Sequence, residues 1–461
     1  MTDKMLSAAV DAWAAMHRDE LVRDVIRLVN IPSVTGTPAC SDAAEVFAQM
    51  AQAYGFAAEM DDGYSVSVQW PNEGARELGM LGHLDVVPEG DGWKHAPFDA
   101  VEKDGWIIGR GSSDNKGPVV MCLYVMRCLR ELGIPLKSDI RLIAGLREET
   151  DMEDMRHYLT LHQPPAYTLN CDGAWAGCIG EKGILEADLV LRIADGNLLK
   201  VWGGTASNTV AENACALLSA ADDEALDNAR ALCSDLTCER RADGVYLHMR
   251  GKAAHCCTPL QGDNAIVKLL RLLCSAKLLT GDAAVQISRL CECFPDHFGT
   301  GLRIHHEDGI SGKTTCVCGL IGMDEHAVRA NINVRSAVTQ RYEPLMQALS
   351  KRLEKMNIAL ENVRWSPPRC DSPDAPEVKL LIDTCREFID PRAKTYVMGG
   401  GTHSRVFPRS LPFGPGVMDP RRKNPFGGAH AADEAVLIDD LTRAMKAYAI
   451  ALKRLDVFFE S

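Results

Sequence analysis

Leu81-Gly-His83-Leu-Asp85-Val-Val-Pro88 opens a series of metal-type ligands that fall where strands should end. His83 follows the apolar run Leu78 to Leu81. Asp114 lies in Gly109-Arg-Gly-Ser-Ser-Asp114-Asn-Lys-Gly117. Glu148 and Glu149 follow Ile140 to Leu146, Asp172 follows Ala166 to Cys171, and His430 lies far downstream in Gly427-Gly-Ala-His430. A single His or carboxylate in a loop is ordinary surface chemistry. Several loops that each carry one just past a strand-like run have no structural need to exist.

The pattern between these ligands predicts an α/β sheet. Gly79 to Gly82 and Ile140 to Leu146 are short apolar runs of the buried-strand type, and Tyr64 to Trp70 alternates. A helix is expected over Gly117 to Leu132, with Val119, Val120, Leu123, Met126 and Leu129 as its apolar positions and Gly133 and Pro135 ending it. Ligands of open α/β sheets bind beyond the carboxyl ends of strands, where His83 and the carboxylates stand.

A chain of 461 residues is too long for one core. From about Ile184 to Val363 the pattern changes. Strand-like runs (Ala187 to Ile193, Gly244 to Met249, Ala330 to Val334) mix with helical runs (Ala211 to Leu232, Asn264 to Leu278, Glu343 to Met356). Val363 to Glu377 carries four prolines and reads as a linker. A helix (Val378 to Phe388), a strand-like Lys394 to Met398 and a final helix (Ala432 to Leu455) follow. The expected organisation is a catalytic domain over residues 1–185 and 376–461, interrupted by an inserted α+β domain over 186–375.

The net charge of −13 argues against nucleic acid and anionic membranes as partners, since both need a basic footprint. No run approaches the length of a membrane span. Met1 to Asn30 reads as one amphipathic helix rather than an export signal. The seventeen cysteines are an odd number and are expected to be reduced thiols in a cytoplasmic protein. Cys291-x-Cys293 and Cys316-x-Cys318 lack the usual zinc spacing and read as small buried hydrophobes.

His83, Asp114, Glu149, Asp172 and His430 suffice for a pair of divalent metals, with Asp114 the natural bridge. Asp85 is placed to accept the other imidazole N–H of His83. Glu148 and Glu149 are neighbours whose side chains should diverge, one to a metal and one to a water as general base. Zinc, manganese and cobalt all suit such donors.

Five separated motifs resemble the dinuclear metallopeptidases of family twenty, the group of peptidase V, carnosinases, aminoacylase and succinyl-diaminopimelate desuccinylase. They are His83-x-Asp85, the Asp114 loop, Leu146-Arg-Glu-Glu-Thr150, the Asp172 loop and Gly427-Gly-Ala-His430. Gly-Asp-Gly-Trp93, Gly-Gly-Gly401-Thr-His-Ser-Arg405 and His430-Ala-Ala-Asp-Glu434 look most like the peptidase V subgroup of bacterial dipeptidases. The resemblance implies a zinc-peptidase-like α/β catalytic domain with a mostly parallel central sheet and an inserted α+β lid. It implies two divalent ions, zinc or manganese: one on His83 and Asp172, the other on Glu149 and His430, with Asp114 bridging. Glu148 would be the general base, Asp85 would support His83, and a cis peptide would follow Asp114.

In the insertion, Gly251-Lys-Ala-Ala-His255 resembles the lid segment whose His polarises the scissile carbonyl. Asn208 resembles a pocket residue, and Arg335 the arginine that grips the substrate carboxylate, helped by Gly401, Thr402 and His403. His403 stands where peptidase V usually has Tyr, which leaves dipeptide preference open. The resemblance implies a lid that completes the site on closure, and a monomer, because the lid is about as long as in peptidase V. The implied activity is that of a metallo-dipeptidase. An N-acyl amino acid deacylase would share every metal ligand. A non-catalytic binding protein of this fold should have lost a ligand or the base, and none is missing.

Overall fold

The computed structural model describes every residue except 73, 75, 326, 418–421 and 461. The chain divides into two compact units. The first comprises Met1–Ile179, Asp371–Tyr396 and Gly401–Ser461; the second comprises Gly180–Cys370 and Val397–Gly400.

The first unit is built on a six-stranded sheet in the order Ala57–Asp61, Ser65–Trp70, Asp139–Gly145, Glu77–His83, Tyr167–Asn170, Ser410–Pro412. The first two neighbours in that order pair antiparallel, as do the second and third. The remaining three junctions are parallel. The apolar runs occupy the parallel centre, where both faces are covered. Glu77–His83 has every residue from Leu78 onward buried. Helix Lys116–Glu131 starts one residue before the expected position and packs against that strand and against helices Arg18–Val29 and Ile438–Glu460.

The second unit carries an eight-stranded sheet in which every paired neighbour is antiparallel: Leu236–Arg241, Gly244–Arg250, Asn213–Leu218, Leu198–Gly203, Thr315–Asp324, Ala327–Ser336, Gly183–Arg192, Ala359–Ser366. Leu185, Ala187, Leu189 and Leu191 alternate into one core with helices Ala265–Ser275, Gly281–Glu292 and Tyr342–Met356. The architecture is thus α/β in the first unit and α+β in the second.

Some sequence expectations give way. Ala211 to Leu232 is not one helix: Asn213–Leu218 is a strand laddered on both sides, and the helix is only Asp223–Leu232. Two neighbouring strands outweigh the helix propensity of Ala and Leu, which rank high as helix formers but whose advantage over other residues is less than about 1 kcal/mol per position. The helix starts where the Asp222 carboxylate accepts the Glu224 N–H at 2.8 Å. The N-terminal helix is two, Asp3–Met16 and Arg18–Val29. They break at His17, whose Nδ1 donates to the Trp13 carbonyl at 2.9 Å. The final helix is Ile438–Glu460, because Ala435–Leu437 is a strand. The proline-rich segment is not simply a linker, since Ala359–Ser366 and Arg369–Cys370 run through it as strands and Pro376 starts a helix.

Candidate metal centre

Three parallel strands deliver ligands at their carboxyl ends. His83 is the last residue of its strand, and Asp172 comes two residues after Tyr167–Asn170. Glu148 and Glu149 come three and four residues after Asp139–Gly145. Asp114 precedes helix Lys116–Glu131, and the Asp114–Asn115 peptide is cis. His430 is brought in from the far end of the chain. Strand Ala435–Leu437 pairs antiparallel with Trp106–Ile108, with Ala435 opposite Ile108, so the loop before one strand meets the loop after the other.

The resulting geometry centres on Asp114. Its Oδ1 lies 3.0 Å from His83 Nε2, and its Oδ2 lies 3.2 Å from His430 Nε2. Each carboxylate oxygen therefore faces a different imidazole. His430 Nε2 is also 3.1 Å from Glu149 Oε1. Donor atoms of His83, Asp114 and Asp172 lie within 4.8 Å of one another, as do those of Asp114, Glu149 and His430, and those of His83, Glu148 and Glu149. Glu149 thus groups with both imidazoles, while Glu148 groups with His83.

Asp85 offers His83 Nδ1 two acceptors, its main-chain carbonyl at 2.9 Å and its carboxylate at 3.5 Å. A carbonyl can only accept, so Nδ1 carries the proton and Nε2 presents its lone pair to the cluster. The Asp85 carboxylate mainly serves the next loop. It accepts the amides of Glu148 and Glu149, each at 3.2 Å, and the Thr35 hydroxyl at 2.7 Å.

The electrostatics call for cations. Among the described residues, Asp114, Glu148, Glu149 and Asp172 group with two imidazoles, His83 and His430, and the Asp85 carboxylate lies just behind them. Burial, and then the charges of Asp172, Glu149 and Asp114, push the Glu148 carboxyl well above its ordinary range despite His83. Burial likewise raises Glu149. Asp114 is held well below its usual range: burial opposes this, and hydrogen bonds from His430 and His83 outweigh it. His430 is pushed up to about 11, first by Asp114 and then by Glu149. With no cation, fully buried His83 would need both ring nitrogens protonated, since one faces a carbonyl and the other a carboxylate. Two ligand atoms at about 2.0–2.2 Å from a tetrahedral ion stand roughly 3.3–3.5 Å apart. The imidazole–carboxylate separations are close to that scale, and the residues present fit divalent metal.

Several residues that hold the centre escaped sequence reading. Glu434 is fully buried and accepts from five donors: Gly111 N, Ser113 N, Ser113 Oγ, Asp114 N and the Arg110 guanidinium, at 2.7–3.0 Å. It grips the whole Asp114 loop. Its neighbour Asp433 accepts the amides of Lys94 and His95 at 2.9 and 3.0 Å. The only signal was the motif His430-Ala-Ala-Asp-Glu434 itself, which names no partner.

Thr402 and His403 are buried at 2 % and 1 % exposure, and Gly401 is half-buried. His403 Nε2 lies 3.0 and 3.1 Å from the two Asp154 oxygens, which also accept the amides of Arg147 and Met155. Burial raises the Asp154 carboxyl, but His403 and those amides win and hold it below its usual range. Gly145 sits under this pair, and a Cβ there would strike both Asp154 and His403. Asn170 donates to Thr402 Oγ1 and Ser404 Oγ at 3.1 and 3.0 Å and accepts the Asp172 amide at 3.0 Å. One short segment therefore buttresses both the Glu148–Glu149 loop and the Asp172 loop.

In the second unit Asn208 and His255 are exposed neighbours: Thr209 pairs with His255, and the Asn208 carbonyl accepts the Cys256 amide at 2.9 Å. Arg335 is 6 % exposed, with Nε donating to Asn333 Oδ1 at 2.8 Å and Nη1 to the Gly399 carbonyl at 3.0 Å. The adjacent thiols Cys256 and Cys257 lie beside His255 and carry no Cys-x-Cys spacing in the sequence. All seventeen cysteines are free.

A cluster of carboxylates and imidazoles at the strand ends of an α/β sheet is the site of a metal-dependent enzyme. The chain belongs to Peptidase family M20/M25/M40, whose pattern matches residues 79–454. It is 28 % identical to the "Putative dipeptidase YtjP" of Bacillus subtilis over 95 % of this chain and 97 % of that one. It is 27 % identical to the Beta-Ala-Xaa dipeptidase of Lactobacillus delbrueckii subsp. lactis over 96 % of this chain and 97 % of that one. The fold is shared with human carnosine dipeptidase 1, at a TM-score of 0.59, 15 % identity, and coverage of 98 % and 99 %. No helix among the described residues is long and apolar enough to cross a membrane.

Proposed function

We propose that this protein is a metal-dependent dipeptidase that hydrolyses the amide bond of dipeptides with a free C-terminal carboxylate. The observation that carries the reading is Asp114, with one oxygen toward His83 and the other toward His430. Full-length similarity to a Beta-Ala-Xaa dipeptidase selects dipeptides over N-acyl amino acids.

Two divalent ions, zinc or manganese, are assigned to this centre. His83 and Asp172 would hold one, Glu149 and His430 would hold the other, and Asp114 would serve both. When bound, they supply the Lewis acidity that activates water near neutral pH and polarises a carbonyl. Glu148 takes the proton of the attacking water and returns it to the leaving amine as the C–N bond breaks. Asp85 keeps the His83 tautomer through its carbonyl and steadies the Glu148 backbone through its carboxylate. In the second unit, His255 stabilises the developing oxyanion and Asn208 lines the substrate pocket. Arg335 and Gly401 hold the substrate carboxylate in a charge-assisted contact, while Thr402 and His403, buried against Asn170 and Asp154, position that segment. A monomer is proposed from the length of the inserted unit, and cytoplasmic residence from the unbridged thiols.

The test is amine release from matched dipeptides, tripeptides and N-acetyl amino acids, with the enzyme reloaded separately with zinc and manganese. Cleavage confined to dipeptides is expected; preference for N-acetyl substrates would make it a deacylase. Glu148→Ala should lower kcat by about 10²–10⁴-fold with metal content intact. Loss of metal instead would exchange the roles of Glu148 and Glu149.

A further inference from the structure

The turn after His255 gathers a second donor set unlike the first. The Thr258 N–H closes it onto the His255 carbonyl at 2.9 Å. The backbone of Cys256 is pinned on both sides: its N–H donates to Asn208 O at 2.9 Å, and its carbonyl accepts the Thr315 hydroxyl at 2.8 Å. In this frame a His255 ring nitrogen and the thiols of Cys256 and Cys257 lie within 4.8 Å of one another. The Cys257 amide donates to His255 Nδ1 at 3.3 Å, a long hydrogen bond that a metal on that nitrogen would displace.

The three donors differ in access. His255 is exposed, Cys257 is half-buried and Cys256 is buried, so the set opens on solvent from the imidazole side. Cys256 Sγ donates to Asn333 Oδ1 at 3.3 Å, the same oxygen that receives Arg335 Nε at 2.8 Å. A guanidinium this close favours thiolate over thiol. Cys257 Sγ packs on Gly399, where any Cβ would strike it, and the Gly399 carbonyl is already bound by Arg335. Zinc bonds of about 2.3 Å to sulfur and 2.0–2.1 Å to imidazole place tetrahedral ligand atoms roughly 3.5–3.8 Å apart. The observed grouping needs only side-chain adjustment to reach that. Two sulfurs and one imidazole suit a soft or borderline cation, whereas manganese prefers oxygen donors.

We propose that His255, Cys256 and Cys257 form a binding site for one thiophilic divalent cation of the zinc or cadmium class, with solvent completing the coordination. Binding converts the two thiols to thiolates and releases their protons. The functional consequence rests on the proposed role of His255. A cation here withdraws that imidazole from the substrate, so zinc beyond the amount that supports turnover inhibits.

The test uses the full-length, manganese-loaded enzyme titrated with cadmium and read by the ultraviolet thiolate-to-cadmium charge-transfer band. The His- and carboxylate-based centre cannot produce that band. One equivalent of band is expected, lost in Cys256→Ser/Cys257→Ser and kept in Cys274→Ser, which breaks another close thiol pair, Cys274 and Cys291 at 3.7 Å. If the double variant does not fold, half-buried Cys257→Ser carries the same comparison. Absence of the band, or its survival in the serine variants, overturns the site. Cys257→Ser should also raise the inhibitory zinc concentration by about 10–100-fold, the scale for losing even an outer partner of a metal ligand. Inhibition that persists after the band is lost overturns the inhibitory role. The band needs no substrate, so failure of the dipeptidase reading does not affect it.

Discussion

The two donor clusters of this chain are built in opposite ways. His83, Asp114, Glu148, Glu149, Asp172 and His430 come from five separated segments, hard donors held by a sheet, a helix start and a paired strand. His255, Cys256 and Cys257 are consecutive, softer donors held by one turn. A cluster assembled from distant segments needs a support for every loop: Asp85 for the Glu pair, Glu434 for the Asp114 loop, Asn170 and Asp154 for the rest. A cluster within one turn needs fewer supports, here Asn208 and Thr315 on the Cys256 backbone. The first should therefore be more sensitive than the second to residues that touch no metal.

The sharpest break of this contrast is Asp114→Ala. Its two oxygens lie 3.0 and 3.2 Å from different imidazoles, so metal analysis should show loss of bound metal, and dipeptide turnover should fall to background. Retained activity would remove Asp114 from the centre of the mechanism.

Glu434→Ala comes next. It strands the fully buried Arg110 guanidinium and three backbone amides, and breaking a buried ion pair costs about 3–5 kcal/mol. Denaturant midpoints should fall accordingly, and metal affinity by about 10–100-fold, as for outer partners of metal ligands. A variant with native metal affinity would show that the Asp114 loop keeps its shape unaided.

His403→Ala should be milder. It removes a hydrogen bond to a carboxylate, worth about 1.5–3 kcal/mol. Because Asp154 and Asn170 tie the same segment to two ligand loops, kcat should drop together with stability. A rise in KM alone would make His403 a substrate contact rather than a buttress.

Much of the first cluster was legible. An apolar strand that ends in a ligand is a local pattern, so His83, the Glu pair and Asp172 could be placed on strand ends before any pairing was known. The helix after Asp114 was legible from its period and its stop at Gly133. The strand Asn213–Leu218 was not, because a short Ala- and Leu-rich run has no intrinsic preference that survives a ladder on either side. Nor did any sequence signal return Val397–Gly400 to the second unit.

By itself, the sequence determined the kinds of donor and the strand ends and loops they occupy, since periodicity and turn chemistry act over a few residues. Only the tertiary structure decided which donors meet. Antiparallel pairing of Ala435–Leu437 with Trp106–Ile108 carries His430 to Asp114 and sets Glu434 under the loop between them. That contact joins residues more than 300 positions apart. Its partner choice depends on burial and hydrogen-bond satisfaction across the whole first unit, which no local pattern encodes.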